Sequence, residues 1–399
     1  EHWDVKRLKE VCEIFPSNVD KKTYENEMPV LLCNYTDVYY NEKITSQIDF
    51  MVATASAEQV KKFTLREGDT IITKDSETAD DIAIAAYVPQ NMPGVICGYH
   101  LSMIRPREAT CGAFIKRLFD SIYVKSCCAV YANGLTRVGL GQYALDNLEM
   151  PFPPKTEQAA IAAFLNRETA KIDALIAEQQ RLIELLKEKR QSVISHAVTK
   201  GLNPNAPMKD SGIECLGKVP EHWEVCALRR LLSVPLANGI FKKKDDFGDG
   251  VLLVNVFDVY QNDFKIKFEQ LDRVKCSPDE AITYQVLPED LFFVRSSLKQ
   301  EGIAAVVVAG ISAEEVVFEC HLIRARPKQS TVNSRYCSYL LNSPIYRAKM
   351  IAKAKITTMT TIDQETILST ILPQPPKEEQ QTIAAFLDRE TAKIDALVA

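Results

Sequence analysis

Short apolar runs alternate with polar turns along two stretches of the chain, which are separated by a long segment of helical periodicity. In residues 1–152 the runs VLLCNY, DTIITK, IAIAAYV and VICGYHLSMI are bounded by Gly, Pro and Asp, as strands usually are. The runs VLLVNVF, DLFFVR, IAAVVVAG and CHLIRARP repeat the pattern after residue 221. Helices are predicted over 112–130 and again from residue 334. Each stretch is therefore predicted to be a mixed, mainly β domain with a helix or two.

The segment between the two stretches is predicted to be one long helix. It enters behind Pro153 and Pro154 and runs without Gly or Pro to Thr199, with Gly201 as its stop, which are favourable helix ends. The apolar residues with three- and four-residue spacings are Ile172, Leu175, Leu182, Leu186 and Val193. They predict a coiled-coil seam along a rod of roughly 65 Å.

The chain repeats itself at a nearly constant offset. From Pro154 and Pro376, 19 of 24 positions are identical at an offset of 222. EHWDV at the start matches EHWEV, VLLCNYTDVY matches VLLVNVFDVY, and CGYHLSMIRP matches FECHLIRARP, at offsets of 220 or 221. A period this long excludes a solenoid, so the chain is predicted to be a tandem duplication. The second copy of the helix is the expected packing partner of the first, with Ile394 and Leu397 in its seam.

The fold class is therefore predicted to be α+β, with each globular domain followed by a helix. The predicted boundaries are 1–152 for the first domain, 153–201 for the first spacer helix, 202–220 for a loop-rich linker, 221–374 for the second domain and 375–399 for the second helix. The second copy ends at Ala399, the counterpart of Ala177. We interpret this as a trimmed chain, with a naturally shortened form as the alternative.

Composition is that of a globular protein without a membrane span. Apolar residues make up 46% and charged residues 25% of the chain, and no apolar run approaches the roughly 20 residues of a membrane helix. The eleven cysteines include no C-x-x-C pair, which favours reduced thiols in a cytoplasmic protein over disulfides or a zinc site. The net charge of −5 excludes a generally basic coat for nucleic acid but leaves room for a local DNA-binding face.

Signatures of catalysis are missing from the sequence. There is no G-x-x-x-x-G-K-[ST] loop for ATP, no N-P-P-[YF] and no Gly-rich loop for a methyl donor, so we predict no catalytic residue, cofactor or metal. Four of the five histidines form repeat pairs, His2 with His222 and His100 with His321. Structural roles explain such pairs better than catalysis.

Two variable domains, each followed by a near-identical PPxxEQxxIAxFL…KID helix, resemble the specificity subunits of type I restriction–modification enzymes. MKDSGIECLGKVPEHWEV, which leads into the second domain, is similar to the domain-entry motif of that family. The resemblance implies two target recognition domains, held on an antiparallel coiled coil with pseudo-two-fold symmetry, that bind a bipartite asymmetric site on double-stranded DNA. It also implies partners: methylation subunits, two in number, and ATP-dependent restriction subunits.

Contacts to DNA are expected from basic and hydroxylic side chains on matched loops, because phosphates attract Lys and Arg and base edges accept polar groups. TKDSETADD matches VRSSLKQEG, NGLTRVGLGQ matches KITTMTTIDQ, and FKKKDD is basic in the second copy alone. The candidates are Lys74, Ser76, Thr78, Thr136, Arg137, Lys242, Lys243, Lys244, Arg295, Ser296, Ser297, Lys299, Thr357, Thr358 and Thr360. For each of them an ordinary solvated loop is the alternative.

Acidic and aromatic residues beside these loops have two interpretations. The carboxylates Asp75, Glu77, Asp80 and Asp81 weaken the case for the first copy unless they accept from cytosine amino groups or hold lysines in place. Tyr39, Tyr40 and Tyr260 are assigned to a core edge rather than to base stacking.

Two other function classes are left open. A coiled-coil scaffold would use the domains to bind proteins, and a DNA-binding protein unconnected with restriction would share the same frame. A stand-alone methyltransferase or nuclease is disfavoured by the missing motifs. Divergence of the two domains inside a nearly invariant frame favours recognition of two different DNA targets.

Overall fold

The computed structural model describes residues 2–214, 216–356 and 359–398. The chain divides into two units, Glu1–Ala177 and Glu178–Ala399, with the division inside the long helix. Each unit thus contains one predicted domain together with the half of the helix that packs on it.

Short strands make up most of the first unit. They are β1 (Asp4–Arg7), β2 (Cys12–Pro16), β3 (Met28–Cys33), β4 (Met51–Ala55), β5 (Thr70–Thr73), β6 (Asp75–Ser76), β7 (Ala85–Tyr87), β8 (Val95–Cys97), β9 (Leu101–Pro106), β10 (Val138–Gly139) and β11 (Glu149–Phe152). A four-stranded sheet has the order β2-β9-β5-β7, and a three-stranded sheet has the order β4-β3-β8. Two further pairs join β1 to β11 and β6 to β10.

The helices of the first unit pack on its sheets, and the last of them leads out of the domain. They are α1 (Leu8–Val11), α2 (Tyr35–Tyr39), α3 (Ala57–Phe63), α4 (Gly112–Asp120), α5 (Ile122–Tyr131), α6 (Gln142–Asp146) and α7 (Lys155–Lys200). The single helix predicted over 112–130 is broken at Ser121, whose Oγ accepts a hydrogen bond from the Val124 amide and so caps a new helix. Helix α7 begins two residues after the start, and ends one residue before the end, of the segment 153–201 that was predicted as the spacer helix.

The second unit repeats this topology. Its strands are β12 (Met208–Asp210), β13 (Lys218–Pro220), β14 (Glu224–Ala227), β15 (Ala237–Asn238), β16 (Phe247–Val254), β17 (Asp272–Val274), β18 (Leu291–Val294), β19 (Ser296–Ser297), β20 (Val306–Val308), β21 (Val316–Phe318), β22 (Leu322–Ala325), β23 (Lys355–Ile356), β24 (Thr360–Thr361) and β25 (Ile371–Gln374). The sheet orders β15-β22-β18-β20 and β17-β16-β21 and the pair β14-β25 match those of the first unit, strand for strand.

The helices of the second unit also correspond to those of the first. They are α8 (Val256–Val259), α9 (Pro278–Thr283), α10 (Ser334–Asn342), α11 (Pro344–Ala352), α12 (Gln364–Leu368) and α13 (Lys377–Val398). Together with the strands, these helices confirm a tandem duplication of one α+β unit. The sequence repeat therefore extends to the strand order of the main sheets and to the helices from α2 onward.

Alternating strand residues build two cores, one on each face of the four-stranded sheet. In the first unit Ile71 packs toward the three-stranded sheet while its neighbour Ile72 packs toward α4 and α5. In the second unit Phe292 and Phe293 divide in the same way. Successive strand side chains point to opposite faces, and burial on both sides explains why these strands read as continuous apolar runs.

Within residues 202–220, predicted as a loop-rich linker, the strands β12 and β13 pair antiparallel. The apolar side chains of Ile213, Leu216 and Val219 enter the core of the second unit around Trp223, which is 0% exposed. Its counterpart Trp3 is 42% exposed. The linker is thus a part of the second unit, because burying its apolar side chains gives a favourable free energy that a solvated loop would lose.

The second half of α7 packs antiparallel to α13 within the second unit. Arg190 Nε lies 3.1 Å from Asp395 Oδ1, whereas a Cβ built on Gly201 would lie 3.3 Å from Glu379 Oε1. Ile194 and Val198 share a core with Leu387. The predicted packing of the two helices is therefore confirmed here, and its antiparallel sense follows from these pairs.

The predicted seam residues differ in burial. Ile394 is 6% exposed, and Leu186 and Val193 are partly buried. The exposed members of the set are Ile172, Leu175, Leu182 and Leu397, at 54–71%. The seam is therefore buried toward the C-terminal end of α7, where α13 packs, and exposed along the middle of α7.

Each domain is attached to its own helix by the same hydrogen bonds. Gln158 Oε1 accepts from the Cys111 amide and Gln380 Oε1 from the Asn333 amide, both at 2.8 Å. The side-chain Nε2 groups of the same two glutamines donate to the carbonyls of Pro153 and Pro375. Both glutamines are fully buried, so an unmade bond would leave a desolvated polar group. This explains why PPxxEQ occurs in both copies.

The repeated EHW motif contacts the first turn of the same helices. Glu157 lies 3.0 Å from His2 Nε2 and accepts from the Trp3 indole at 2.9 Å, and Glu379 lies 2.7 Å from His222 Nε2. His2 and His222 therefore take part in attaching domain to helix.

None of the helices in the described parts of the chain is both long and apolar enough to cross a membrane.

Candidate nucleic-acid interface

In the first unit, the two loops predicted to contact DNA lie side by side. Strand β6 pairs antiparallel with β10, with Ser76 opposite Val138 and Asp75 opposite Gly139. The loop that carries Lys74 and Thr78 is thereby joined to the loop that carries Thr136 and Arg137. A pairing of residues about sixty positions apart creates one continuous surface from two separate sequence motifs.

The candidate side chains on this surface have different surroundings. Thr78, Thr136 and Arg137 are exposed. Lys74 Nζ donates to the Ser17 carbonyl at 2.9 Å, and Ser76 is only 2% exposed. The exposed three are placed to reach a ligand without rearrangement, whereas Lys74 is bonded to the Ser17 carbonyl and Ser76 is buried.

Beside this surface lies a cluster of acidic and aromatic groups. Asp75 Oδ2 is 2.8 Å from His100 Nδ1, and the Tyr39 hydroxyl donates to Asp81 at 3.1 Å. The hydrogen bond to Asp81 raises the pKa of the Tyr39 phenol. The Tyr35 and Tyr39 rings stack with centroids 5.5 Å apart. Asp75 and Asp81 are thus bonded to an imidazole and a phenol rather than to lysines.

The second unit joins its matched loops in the same way. Strand β19 pairs with β24, with Ser297 opposite Thr360, and β24 also pairs with β23. Arg295 is partly buried and its Nη1 donates to the Cys320 carbonyl at 3.4 Å, while Lys299 is exposed. Ser296, Ser297 and Thr360 are 6–7% exposed. Thr357 and Thr358 lie outside the described residues.

The basic run Lys242–Lys244 lies apart from these loops in sequence and has its own contacts. Lys242 Nζ is 2.8 Å from Glu280 Oε2, and its side chain is 12% exposed. Lys243 and Lys244 are exposed. Of the three predicted phosphate contacts, Lys242 therefore has its charge already paired, and the other two are accessible to a ligand.

A cavity beside the second loop cluster is not predicted from the sequence, which assigns Tyr260 to a core edge and His321 to a structural repeat pair. Phe257, Tyr260, Leu298, His321 and Met359 line a cavity of about 650 Å³ together with the two buried serines of β19. A search for charged and hydroxylic side chains could not select the apolar members Phe257, Leu298 and Met359. The mismatch between Glu77 and Leu298 within otherwise matched loops was the available signal.

One group in the described residues has ligand atoms close enough to hold a metal ion. Atoms of Glu319, Cys320 and His321 lie within 4.8 Å of one another. However, Glu319 Oε1 accepts from the Val256 amide at 2.7 Å, and burial raises the pKa of the Cys320 thiol, which disfavours the thiolate that a metal requires. This donor set is a poor metal site as it stands.

The family model described as "Type I restriction modification DNA specificity domain" matches residues 1–185 and 286–397. The chain belongs to this family. The matched residues include both surfaces described above, except for Lys242–Lys244. The resemblance drawn from the repeated helix and the EHW motif is thereby confirmed.

Curated relatives carry the same description. The chain is 24% identical over 299 residues to the type I restriction enzyme EcoBI specificity subunit of Escherichia coli, a match that covers 71% of this chain and 60% of that protein. It is 23% identical over 351 residues to the EcoKI specificity subunit of Escherichia coli strain K12, covering 82% and 69%. The chain thus spans less than two thirds of the length of the first of these relatives.

Solved structures share the fold. The HsdS subunit from Thermoanaerobacter tengcongensis aligns with a TM-score of 0.60 at 18% identity, over 99% of this chain and 90% of that one. A chain from a structure described as "Structural basis underlying complex assembly and conformational transition of the type I R-M system" aligns with a TM-score of 0.73 at 19% identity, over 100% and 92%. At these identities the likeness concerns the fold alone.

Proposed function

We propose that this chain is the DNA-sequence-recognition subunit of a type I restriction–modification complex that acts in the cytoplasm. Its two domains bind a bipartite, asymmetric site on double-stranded DNA. Two methylation subunits and the ATP-dependent restriction subunits dock on it and perform the chemistry. The chain itself is non-catalytic and needs no cofactor in this role.

The observation that carries the proposal is a backbone frame shared by both units, with different loop residues in each. Both units join the same two loops by the same strand pairing. At matched positions the side chains differ: Asp75 against Ser296, Glu77 against Leu298 and Thr78 against Lys299. Base edges differ in their donors, acceptors and methyl groups, so two such surfaces select different sequences. A scaffold would not require this divergence at one place in an otherwise matched frame.

The complex is expected to methylate a discontinuous DNA motif whose two halves differ. Assembly of the chain with the methylation subunits of its own system, followed by sequencing of the methylated sites, gives the motif directly. A continuous or palindromic motif would contradict the proposal.

Lys299→Ala should weaken binding of the complex to its motif, because Lys299 is exposed on the loop after β19. Lys187→Ala, which removes an exposed lysine from α7, is the matched control.

The purified chain alone is expected to show neither methyl transfer nor DNA cleavage. The physical reason is that the sequence has no phosphate-binding loop and no motif for holding a flipped adenine. Incubation of the chain with DNA and a labelled methyl donor, with the assembled complex as the positive control, measures this. Incorporation above background without a partner would count against a purely recognising role.

A further inference from the structure

The cavity in the second unit has apolar walls that reach the surface. It opens between α8, the turn after β19 and Met359, and its volume is about 650 Å³. Phe257 and Leu298 stand at its rim and are 82% and 84% exposed, while Met359 lies in its wall. Large apolar side chains grouped on a surface in this way mark binding sites.

A few polar groups accompany these walls. Ser296 and Ser297 are 7% and 6% exposed, and the Tyr260 hydroxyl donates to Ser297 Oγ at 3.2 Å. His321 and Lys299 also line the cavity. The carboxylate of Glu319 accepts from the Val256 amide at 2.7 Å, so it is held against α8. The cavity therefore combines apolar contact, hydroxyl and imidazole groups, the bonded carboxylate of Glu319 and one exposed cation.

The matched site in the first unit has a different chemistry. Strand pairing aligns Asp75 with Ser296, and the same offset aligns Glu77 with Leu298 and Asp81 with Gly302. Asp81 accepts from Tyr39, the counterpart of Tyr260. A Cβ on Gly302 would lie 2.5 Å from both Ser297 Oγ and the Tyr260 hydroxyl. Three carboxylates are thus replaced by a serine, a leucine and a glycine, which leaves apolar space.

We propose that this cavity takes the methyl-bearing edge of a thymine in the half-site that the second domain reads. The proposal rests on the DNA-recognition function proposed above. In the major groove thymine presents its C5-methyl group beside the O4 acceptor. The methyl group packs against Leu298, Phe257 and Met359, and a serine hydroxyl donates to O4. Lys299 is placed to contact a nearby phosphate.

The same comparison distinguishes the two half-sites. Carboxylates such as Glu77 accept hydrogen bonds from base amino groups, as in contacts to cytosine N4, and they repel an approaching O4 acceptor. Leu298 offers no acceptor and gains free energy by covering a methyl group. A thymine-dependent contact is therefore specific to the second domain.

Replacing thymine by uracil tests the contact, because uracil pairs identically and lacks only the methyl group. Binding of the chain, assembled with its methylation subunits, is measured on duplexes of its own motif in which the thymines of one half-site at a time are uracil. Loss of one buried methyl group is expected to weaken binding about fourfold, in one half-site only. In the Leu298→Ala complex the thymine and uracil duplexes should bind alike at that half-site.

Glu77→Ala, at the matched position of the first domain, is the control and should leave the thymine-to-uracil ratios of both half-sites unchanged. Both Leu298 and Glu77 are exposed, so neither change removes a core side chain. The inference is overturned if the complex binds its motif specifically but uracil has no effect in either half-site, or if Leu298→Ala leaves the effect intact. Absence of any sequence-specific binding would instead refute the proposed function and, with it, this inference.

Discussion

Inserting two residues after Glu178 is expected to abolish sequence-specific methylation, whereas inserting four should preserve it and lengthen the unspecified gap between the half-sites. Helix α7 passes through Glu178 without a break, and residues 170–182 are exposed, so the inserted residues displace no core contact. At 3.6 residues per turn, two inserted residues rotate the part of α7 after Glu178 by about 200° relative to the part before it, and the two domains then no longer face the DNA together. Four inserted residues leave a net rotation of only about 40°. Four residues add roughly 6 Å of rise, a little under two base-pair steps.

Sequencing the methylated sites of complexes that contain the parent chain and each insertion variant measures both effects. The bases of the half-sites should be unchanged, because neither recognition surface is altered. A control with alanine at Glu178, Gln179 and Gln180 keeps the helix length and should methylate the parent motif. If the four-residue insertion left the gap as it was, or changed the bases read, α7 would not be the spacer.

Trp223→Ala is expected to lower the free energy of unfolding of the second unit by about 3–5 kcal/mol, the usual loss for a large aromatic side chain removed from a core. Trp223 is 0% exposed and packs with Ile194, Ala197 and Val219. Its removal therefore loosens the contact between the C-terminal end of α7, the paired strands β12 and β13 and the second domain. Urea denaturation, with the transition of each unit followed separately, measures the loss.

Trp3→Ala is the matched control, because Trp3 occupies the same position of the EHW motif in the first unit. Trp3 is 42% exposed and donates one hydrogen bond, to Glu157 at 2.9 Å, so its loss should cost only about 1 kcal/mol. Equal losses for the two variants would show that burial of Trp223 does not govern the stability of the second unit.

The repeat in the sequence predicted the duplication, and the structure shows it at the level of strand order. The repeat was sufficient for this prediction because both units contain the same apolar runs in the same order. The long helix was equally predictable, since Pro153, Pro154 and Gly201 are local signals that need no tertiary context. The break at Ser121 was missed because a serine cap inside an apolar helical pattern reads as an ordinary helical residue.

The candidate surfaces were predictable only as separate loops. Ser76 and Val138 are opposite one another in the structure, but their sequence neighbourhoods carry no signal of that pairing. Strand pairing between distant segments depends on non-local hydrogen bonds that periodicity does not encode. The cavity beside Leu298 was hidden for a related reason: it arises where Gly302 lacks a side chain near Tyr260.

By itself, the sequence determined two copies of one α+β unit, the helix that follows each domain and the divergence of the loops, because these depend on local pattern and on comparison of the copies. The tertiary structure alone decided which loops meet, which seam residues are buried and which tryptophan lies in a core. Trp3 and Trp223 stand in the same EHW motif, yet one is 42% and the other 0% exposed. Burial depends on the segments that pack around a residue, and for Trp223 these include Ile194 and Ala197 of α7, which lie outside the motif that contains it.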